Sequence, residues 1–392
     1  MEFKISFSGR AHAYSDEEID AVVTAMKDAN PLTQGKYLKA FEEKFCYYIG
    51  TGYAFAVCNA TAALEISAQL CQFHVGDEVI IPSHTYTSTA YPFAKKGARI
   101  VWADIDLKSR VVTAQTLAKK ITPKAKVMVV PHLYGYGAEM PEIMDLAERY
   151  NLLVVEDAAQ VLGVDVAGEK AGSFGDFGIF SFHSHKNITT LGEGGMLVVK
   201  DEKLANIVPQ LRHNGHCSFP NTRTDYWIPA MGNVDFPEIN GETLWPNNFC
   251  LGEVECALGS KLLDRIDSIN QEKRKRALKF IDALSEFREL EFHRVDSTRH
   301  NYHLLVARLT NGRRDSFIRK MAENKKTQCV VQYYPLNRYP LYQKAGLKEA
   351  ECPNADEFFD NMVSFPFHHW MSEGDFNYLL ASTREVLESM RL

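Results

Sequence analysis

Long apolar runs are missing from this 392-residue chain, and with them any stretch of the length a membrane-spanning helix requires. The opening Met1-Glu2-Phe3-Lys4-Ile5-Ser6 also lacks the apolar core of a secretory leader, so the expected location is the cytoplasm. Paired cysteines are missing too. The eight cysteines, at positions 46, 58, 71, 217, 250, 256, 329 and 352, form no CxxC pair and fall mostly inside apolar runs. That distribution reads as buried free thiols in a reducing compartment and gives no disulfide framework. A positive excess is equally absent, with 44 basic against 50 acidic residues and a net charge of −6. Because the basic residues are scattered, nothing provides the electrostatic footprint of a nucleic-acid or anionic-membrane binder, and small molecules are the expected partners. Internal repeats and low-complexity segments are lacking.

What is present is ordinary globular material: 45% hydrophobic and 24% charged residues, enough chain for two or three domains at roughly 150 residues each. Short β-branched runs recur at 54–57, 79–82, 99–102, 127–130, 152–156, 177–182 and 196–199, most of them separated by helical periodicity such as 62–72 and 140–150. Strands alternating with helices predict an α/β fold with a mostly parallel sheet covered on both faces. The last two runs leave no room for a helix between them, so a locally antiparallel pair is expected there. From 205 to 245 the pattern gives way to a polar, aromatic, Pro-rich stretch (Phe219-Pro220-Asn221, Trp227-Ile228-Pro229, Phe236-Pro237, Leu244-Trp245-Pro246), read as a long ordered loop serving a site or an interface. Glu253 to Leu290 then reads as long helix with charge pairs such as Glu272 and Arg276, and Tyr302–Leu309 and Gln328–Tyr334 as strands of a smaller α+β domain.

In open α/β sheets, ligands bind beyond the carboxyl ends of the strands, and four of those ends are chemically coherent. Asn59-Ala60-Thr61-Ala62 opens an apolar helix, whose unpaired N–H groups and positive dipole end suit a phosphate; a plain N-cap explains the same residues. Tyr86, after the second run, offers a ring that can stack on a planar cofactor or simply fill the core. Glu156-Asp157 follow a buried apolar strand, where a carboxylate requires a partner; a protonated ring nitrogen serves, as does an ordinary cap or salt bridge. Strand alternation sets Ser181 on the face opposite Phe180 and Phe182, and Lys186 follows one short turn later, before Gly192-Glu193-Gly194-Gly195. A lysine in a dry pocket loses its charge more readily, which an amine needs in order to form a Schiff base. Phosphate seat, stacking ring, carboxylate and amine together point to pyridoxal phosphate.

These residues, with Ser15-Asp16-Glu17-Glu18-Ile19, Leu32-Thr33-Gln34-Gly35, Glu156-Asp157-Ala158-Ala159-Gln160, Tyr334-Pro335-Leu336, Cys352-Pro353-Asn354-Ala355 and Phe365-Pro366, resemble the DegT/StrS-like sugar aminotransferases over nearly the whole chain and in order. The resemblance implies the type I fold of the pyridoxal-phosphate enzymes: a large domain (1–250) with a mixed, mostly parallel seven-stranded sheet, and a smaller C-terminal α+β domain (251–392). It implies that Lys186 forms the Schiff base and moves the proton, and that Asp157 holds the pyridine nitrogen. Gln160 and Tyr86 would contact the ring, and Ala60, Thr61 and Ser181 the phosphate. Asn248 would reach the phosphate of the neighbouring subunit, making a homodimer with shared sites. The reaction implied takes an amino group from L-glutamate and places it on a keto-sugar. Ala60 departs from the family's small-Gly-Thr turn yet still allows close backbone approach, and Tyr136, Cys250 and Gln332 depart from its pattern at positions expected near the substrate. These last three point away from an ordinary nucleotide-linked hexose, and a finer likeness is to the transaminase forming 8-amino-3,8-dideoxyoctulosonate.

Rival readings are a sugar dehydratase of the same fold, in whose best-known branch a His replaces the Lys, and a non-catalytic ligand-binding regulator. A metal hydrolase built on His183, His185, His213, His216, His368 and His369 is a third; scattered structural histidines explain those residues better. Glu193 and His183 stay unassigned: local capping or pairing and a direct role are both open for Glu193, as are a structural part and a place lining the substrate pocket for His183.

Overall fold

The computed structural model describes residues 2–7, 12–217, 233–236, 238–239, 243–347 and 350–391. Seven strands make the central sheet: β1 (Ala54–Val57), β2 (Glu78–Pro82), β3 (Arg99–Ala103), β4 (Ala125–Pro131), β5 (Leu153–Asp157), β6 (Phe177–Ser181) and β7 (Gly195–Val199). Their spatial order is β1-β7-β6-β5-β4-β2-β3. Strands β6, β5, β4, β2 and β3 run parallel, and β7 lies antiparallel between β6 and β1. Burial of both faces explains the uninterrupted apolar runs, since every residue of β2 and β7 is buried.

Helices α1 (Asp16–Asp28), α2 (Lys36–Ile49), α3 (Ala60–Leu70) and α4 (Met140–Tyr150) belong to this layer system. Ser15 and Glu18 close a reciprocal capping box that starts α1. α2 begins at Gly35, which has no side chain to cap it. The buried Glu253 carboxylate does so from 218 residues away, accepting from Gly35 N (2.8 Å), Tyr37 N (2.8 Å) and Leu38 N (3.2 Å). α2 then lays Phe41 and Phe45 against Phe180 and Phe182, with ring centroids 5.0 to 5.9 Å apart. That contact covers one face of β6 and leaves Ser181 on the other.

The stretch read as one long helix is two, α5 (Glu253–Leu263) and α6 (Ile266–Ala283). Arg265 leaves helical geometry (φ −117°, ψ 10°) and turns its guanidinium to Glu18 (2.6 Å) and the Ala13 carbonyl (3.2 Å). The break lets α5 pack into the core of the large sheet, while α6 from Ala277 onward packs into a second apolar cluster. That second cluster contains β8 (Leu290–Phe292), β9 (Leu305–Leu309), β10 (Met362–Phe365), α7 (Arg314–Lys325) and α8 (Glu373–Arg391). α6 thus bridges the two clusters, and the first of them also takes in Val306, Leu336, Tyr342 and Phe358 from the C-terminal part.

Two expected strands are also shorter. Tyr302 takes a left-handed conformation (φ 48°), so β9 starts only at Leu305. Segment 328–334 contributes a single bridge, Val330 with Ser364, before Tyr333 (φ 59°) turns the chain aside. Within the stretch read as a loop, residues 208–212 form a helical turn, and His216–Cys217 pair with Asn233–Val234. Phe219-Pro220-Asn221, Trp227-Ile228-Pro229 and Pro237 lie outside the described residues. All eight cysteines are free thiols, and no helix among the described residues is long and apolar enough to cross a membrane.

Candidate active site

A cavity of about 410 Å³ opens where β1, β2, β4, β5 and β6 end. Its wall includes Asn59, Ala60 and Thr61 after β1, Thr85 and Tyr86 after β2, Asp157 and Gln160 after β5, and Ser181, His183, His185 and Lys186 after β6. Glu193, ahead of β7, joins them, and His303, Leu304, Gln332 and Tyr333 close it from the C-terminal part.

At the helix end, the Asn59 side chain caps α3 by accepting from Ala62 N (2.9 Å), so Asn59 is the N-cap and Ala60 and Thr61 form the first turn facing the cavity. β7 passes directly behind that turn. A Cβ on Gly195 would lie 2.6 Å from Ala60 N and 2.6 Å from the Asn59 carbonyl carbon, so only glycine permits the approach.

The two acids closing β5 have opposite fates. Glu156 is fully buried and faces away from the cavity. Its carboxylate accepts from Gly172 N (2.9 Å), Phe174 N (2.7 Å), Gly175 N (2.7 Å) and His132 Nε2 (3.0 Å). His132 Nδ1 accepts from Ala138 N (3.0 Å), which leaves the proton on Nε2 for Glu156. Asp157 faces the cavity, with Thr89 donating to Oδ2 (2.6 Å), Thr85 donating in turn to Thr89 (3.1 Å), and Ala159 N reaching Oδ1 at 3.3 Å. Among the described residues Asp157 forms no ion pair, although it is 8% exposed. Gln160 is pinned at both ends of its amide, by Tyr134 N (2.7 Å) and by the Tyr333 hydroxyl (2.8 Å).

Lys186 reaches the cavity from the loop after β6, which is closed by Lys186 N to His183 O (2.8 Å) and Ser184 N to Gly192 O (2.9 Å). His12 Nε2 donates to the Lys186 carbonyl (3.0 Å). Burial lowers the Lys186 pKa to about 8, with the Asp157 charge opposing. Burial likewise lowers His185, helped by His183 and Lys186. His183 Nε2 stands 3.7 Å from Glu193 Oε1, a contact that gives both residues a local partner.

Of the eight residues singled out from sequence, seven line this one cavity. Tyr86 is 58% exposed at its edge. Asn248, the eighth, is exposed, bridges His213 and is not part of the wall formed by its own chain. Of the three departures expected near the substrate, Gln332 lines the cavity; Tyr136 instead packs on His293 (ring centroids 4.5 Å) beneath Arg299, and Cys250 lies outside the wall. Thr89 and His303 escaped the sequence reading because nothing local marks them; each earns its place through partners more than 60 residues away. Among the described residues no three His, Cys, Asp or Glu side chains gather to hold a metal ion.

Residues 13–384 match the model of the DegT/DnrJ/EryC1/StrS aminotransferase family. The chain is similar to a GDP-perosamine synthase of Caulobacter vibrioides, 32% identical over 379 residues, covering 94% of this chain and 95% of that one. It is 30% identical to the spore coat polysaccharide biosynthesis protein SpsC of Bacillus subtilis, covering 95% of each. Among solved structures, the aminotransferase TlmJ of Streptoalloteichus hindustanus superposes with a TM-score of 0.87 at 25% identity, covering 98% of this chain and all of the other.

Proposed function

The chain belongs to the DegT/DnrJ/EryC1/StrS aminotransferase family, and from that premise we propose that it moves an amino group from L-glutamate onto a keto-sugar of surface-polysaccharide or lipopolysaccharide biosynthesis. It is a transaminase, and its cofactor is pyridoxal phosphate. The acceptor is either a nucleotide-linked keto-deoxyhexose, as the similarity to a GDP-perosamine synthase supports, or an unlinked keto sugar acid such as 8-oxo-3,8-dideoxyoctulosonate. The enzyme would work in the cytoplasm as a homodimer, Asn248 reaching the phosphate in the partner's site.

One juxtaposition carries the site assignment: a buried carboxylate that forms no ion pair among the described residues and a lysine with a lowered pKa face the same cavity as the first turn of α3. The close passage of Gly195 behind Ala60 supports that turn as the seat of a phosphate, with Ser181 and Thr61 as hydroxyl donors. When bound, pyridoxal phosphate supplies a carbonyl that takes up the amino group and a protonated ring that absorbs electrons from the substrate carbon. Asp157, held by Thr89, would keep the ring nitrogen protonated. Gln160, fixed by Tyr134 and Tyr333, and Tyr86 would bound the ring on its two faces. At a pKa near 8, a useful share of Lys186 is uncharged close to neutral pH, the form that attacks a carbonyl and can then accept and return a proton.

Lys186→Ala should lower turnover by more than the roughly 10² to 10⁴ expected for loss of a positioned acid–base group. Borohydride reduction of the wild type with pyridoxal phosphate, followed by peptide mass spectrometry, should place the adduct on Lys186. An adduct elsewhere, or a variant with normal turnover, would overturn the assignment.

A further inference from the structure

Behind the cavity a buried polar network fixes the hydrogen-bonding sense of one lining side chain. Lys273 of α6 is 4% exposed and, among the described residues, has no carboxylate partner. Its Nζ donates to Asn187 Oδ1 (2.9 Å) and to the His303 carbonyl (2.8 Å). The amide of Asn187 must therefore present oxygen to the lysine, and its Nδ2 donates to Asn270 Oδ1 (2.7 Å). Asn270 is oriented independently, because its own Nδ2 donates to the Leu162 carbonyl (2.9 Å).

His303 Nδ1 lies 3.3 Å from the same Asn187 Oδ1. An amide oxygen has no hydrogen to give, so Nδ1 carries the proton of that contact. Burial, then the charges of Lys186, Lys273 and His185, hold the His303 pKa well below its usual value, so the ring is neutral and Nε2 keeps a lone pair. Nε2 has no partner among the described residues, while the ring lines the cavity. The left-handed Tyr302 immediately before it (φ 48°), whose hydroxyl donates to the Val295 carbonyl (3.0 Å), holds the backbone that aims the ring.

We propose that His303 accepts, through Nε2, a hydrogen bond from a hydroxyl group of the keto-sugar, and that Lys273 and Asn187 are the positioning residues that hold the ring in this tautomer. The proposal rests on the keto-sugar reading above. It also separates the two substrates. The amino donor carries a carboxylate on its reacting carbon, which an unprotonated nitrogen repels, and has no hydroxyl, whereas a sugar offers the O–H that such a nitrogen accepts. His303 therefore belongs to the sugar half of the reaction.

Two measurements test it on the holoenzyme. In ¹⁵N-histidine-labelled protein, the signal that disappears in His303→Gln should show the neutral Nδ1–H form, and Lys273→Met should shift that signal; an Nε2–H or doubly protonated ring in the wild type overturns the proposal. In single-turnover half-reactions, L-glutamate loads the amino group, and 8-oxo-3,8-dideoxyoctulosonate or a GDP-linked keto-deoxyhexose, whichever discharges the wild type, removes it. His303→Leu should slow the sugar half roughly 10- to 100-fold, the cost of leaving a desolvated hydroxyl unpaired, while the glutamate half, which offers the ring no hydroxyl, changes by less than about 3-fold. His303→Gln, which still offers an acceptor oxygen, should recover part of the loss. Equal slowing of both halves, or no slowing of the sugar half, overturns the proposal. A wild type that loads from glutamate yet discharges to neither sugar would count against the keto-sugar reading, leaving the tautomer signal to decide the fate of His303.

Discussion

Glu156 and Asp157 are neighbours on β5, yet the regions they enter are built on different principles. On the Glu156 side, three backbone N–H groups and one histidine saturate the carboxylate, and nothing is left for a ligand. On the Asp157 side, the protein supplies a threonine hydroxyl and one long N–H contact, then stops at a cavity. Full satisfaction is the mark of a carboxylate that holds the fold, and incomplete satisfaction that of one kept for a ligand.

The contrast is sharpest in substitutions. Asp157→Asn should cut turnover by roughly 10² to 10⁴ while shifting stability by less than about 1 kcal/mol; kinetics and urea denaturation on one preparation measure both. If the variant instead unfolds while each folded molecule turns over normally, the two acids are alike and the comparison breaks. Glu156→Ala should do the reverse, lowering stability by roughly 3 to 5 kcal/mol because four buried donors lose their acceptor, with near-normal turnover per folded molecule. A denaturation midpoint unchanged from wild type would remove Glu156 from the framework.

The smallest expected effect concerns the buried lysine behind the cavity. Burial lowers the Lys273 pKa from 10.5 to about 7 in the folded chain. Below pH 7 both folded and unfolded chains hold the proton, and the folded state carries the whole penalty of a buried charge. From about pH 7 to 10.5 only the unfolded chain keeps it, so stability rises with pH across that window. Lys273→Met should flatten this rise in the apoenzyme, as urea titrations at pH 7 and pH 9 would reveal; an unaltered slope would mean that Lys273 stays charged.

Much of the sheet was legible because a strand buried on both faces needs a dense β-branched run, and such runs stand out without any partner in view. The cavity residues after β1, β5 and β6 were legible for a related reason: strand ends in an open sheet gather in one place, so a local motif there has a known destination. What stayed hidden depends on contacts between distant segments. Nothing near Asp264 and Arg265 announces a helix break; it follows from the reach of Arg265 to Glu18 and from two cores competing for one helix. The shortened strands at 302 and 328–334 follow from left-handed tyrosines, a conformation these side chains seldom adopt. His303, Asn187 and Lys273 converge from three segments, and only the assembled network tells which nitrogen of the ring carries hydrogen. Two of the motifs behind the family resemblance turn out to be joinery: Gly35 receives the Glu253 cap, and Asn354 and Ala355 donate to Asp104 (3.0 and 2.9 Å).

The bare backbone of Gly195 ties the alignment of a strand to the position of a helix start 135 residues earlier in the sequence. A slip of β7 by one residue would bring Met196 to that point, and α3 would be forced outward together with everything seated on its first turn. Threading β7 correctly between β1 and β6 is thus a precondition for the cavity's wall, and, on the proposal that this turn seats a phosphate, a misthreaded chain would be recognisable by its inability to hold one.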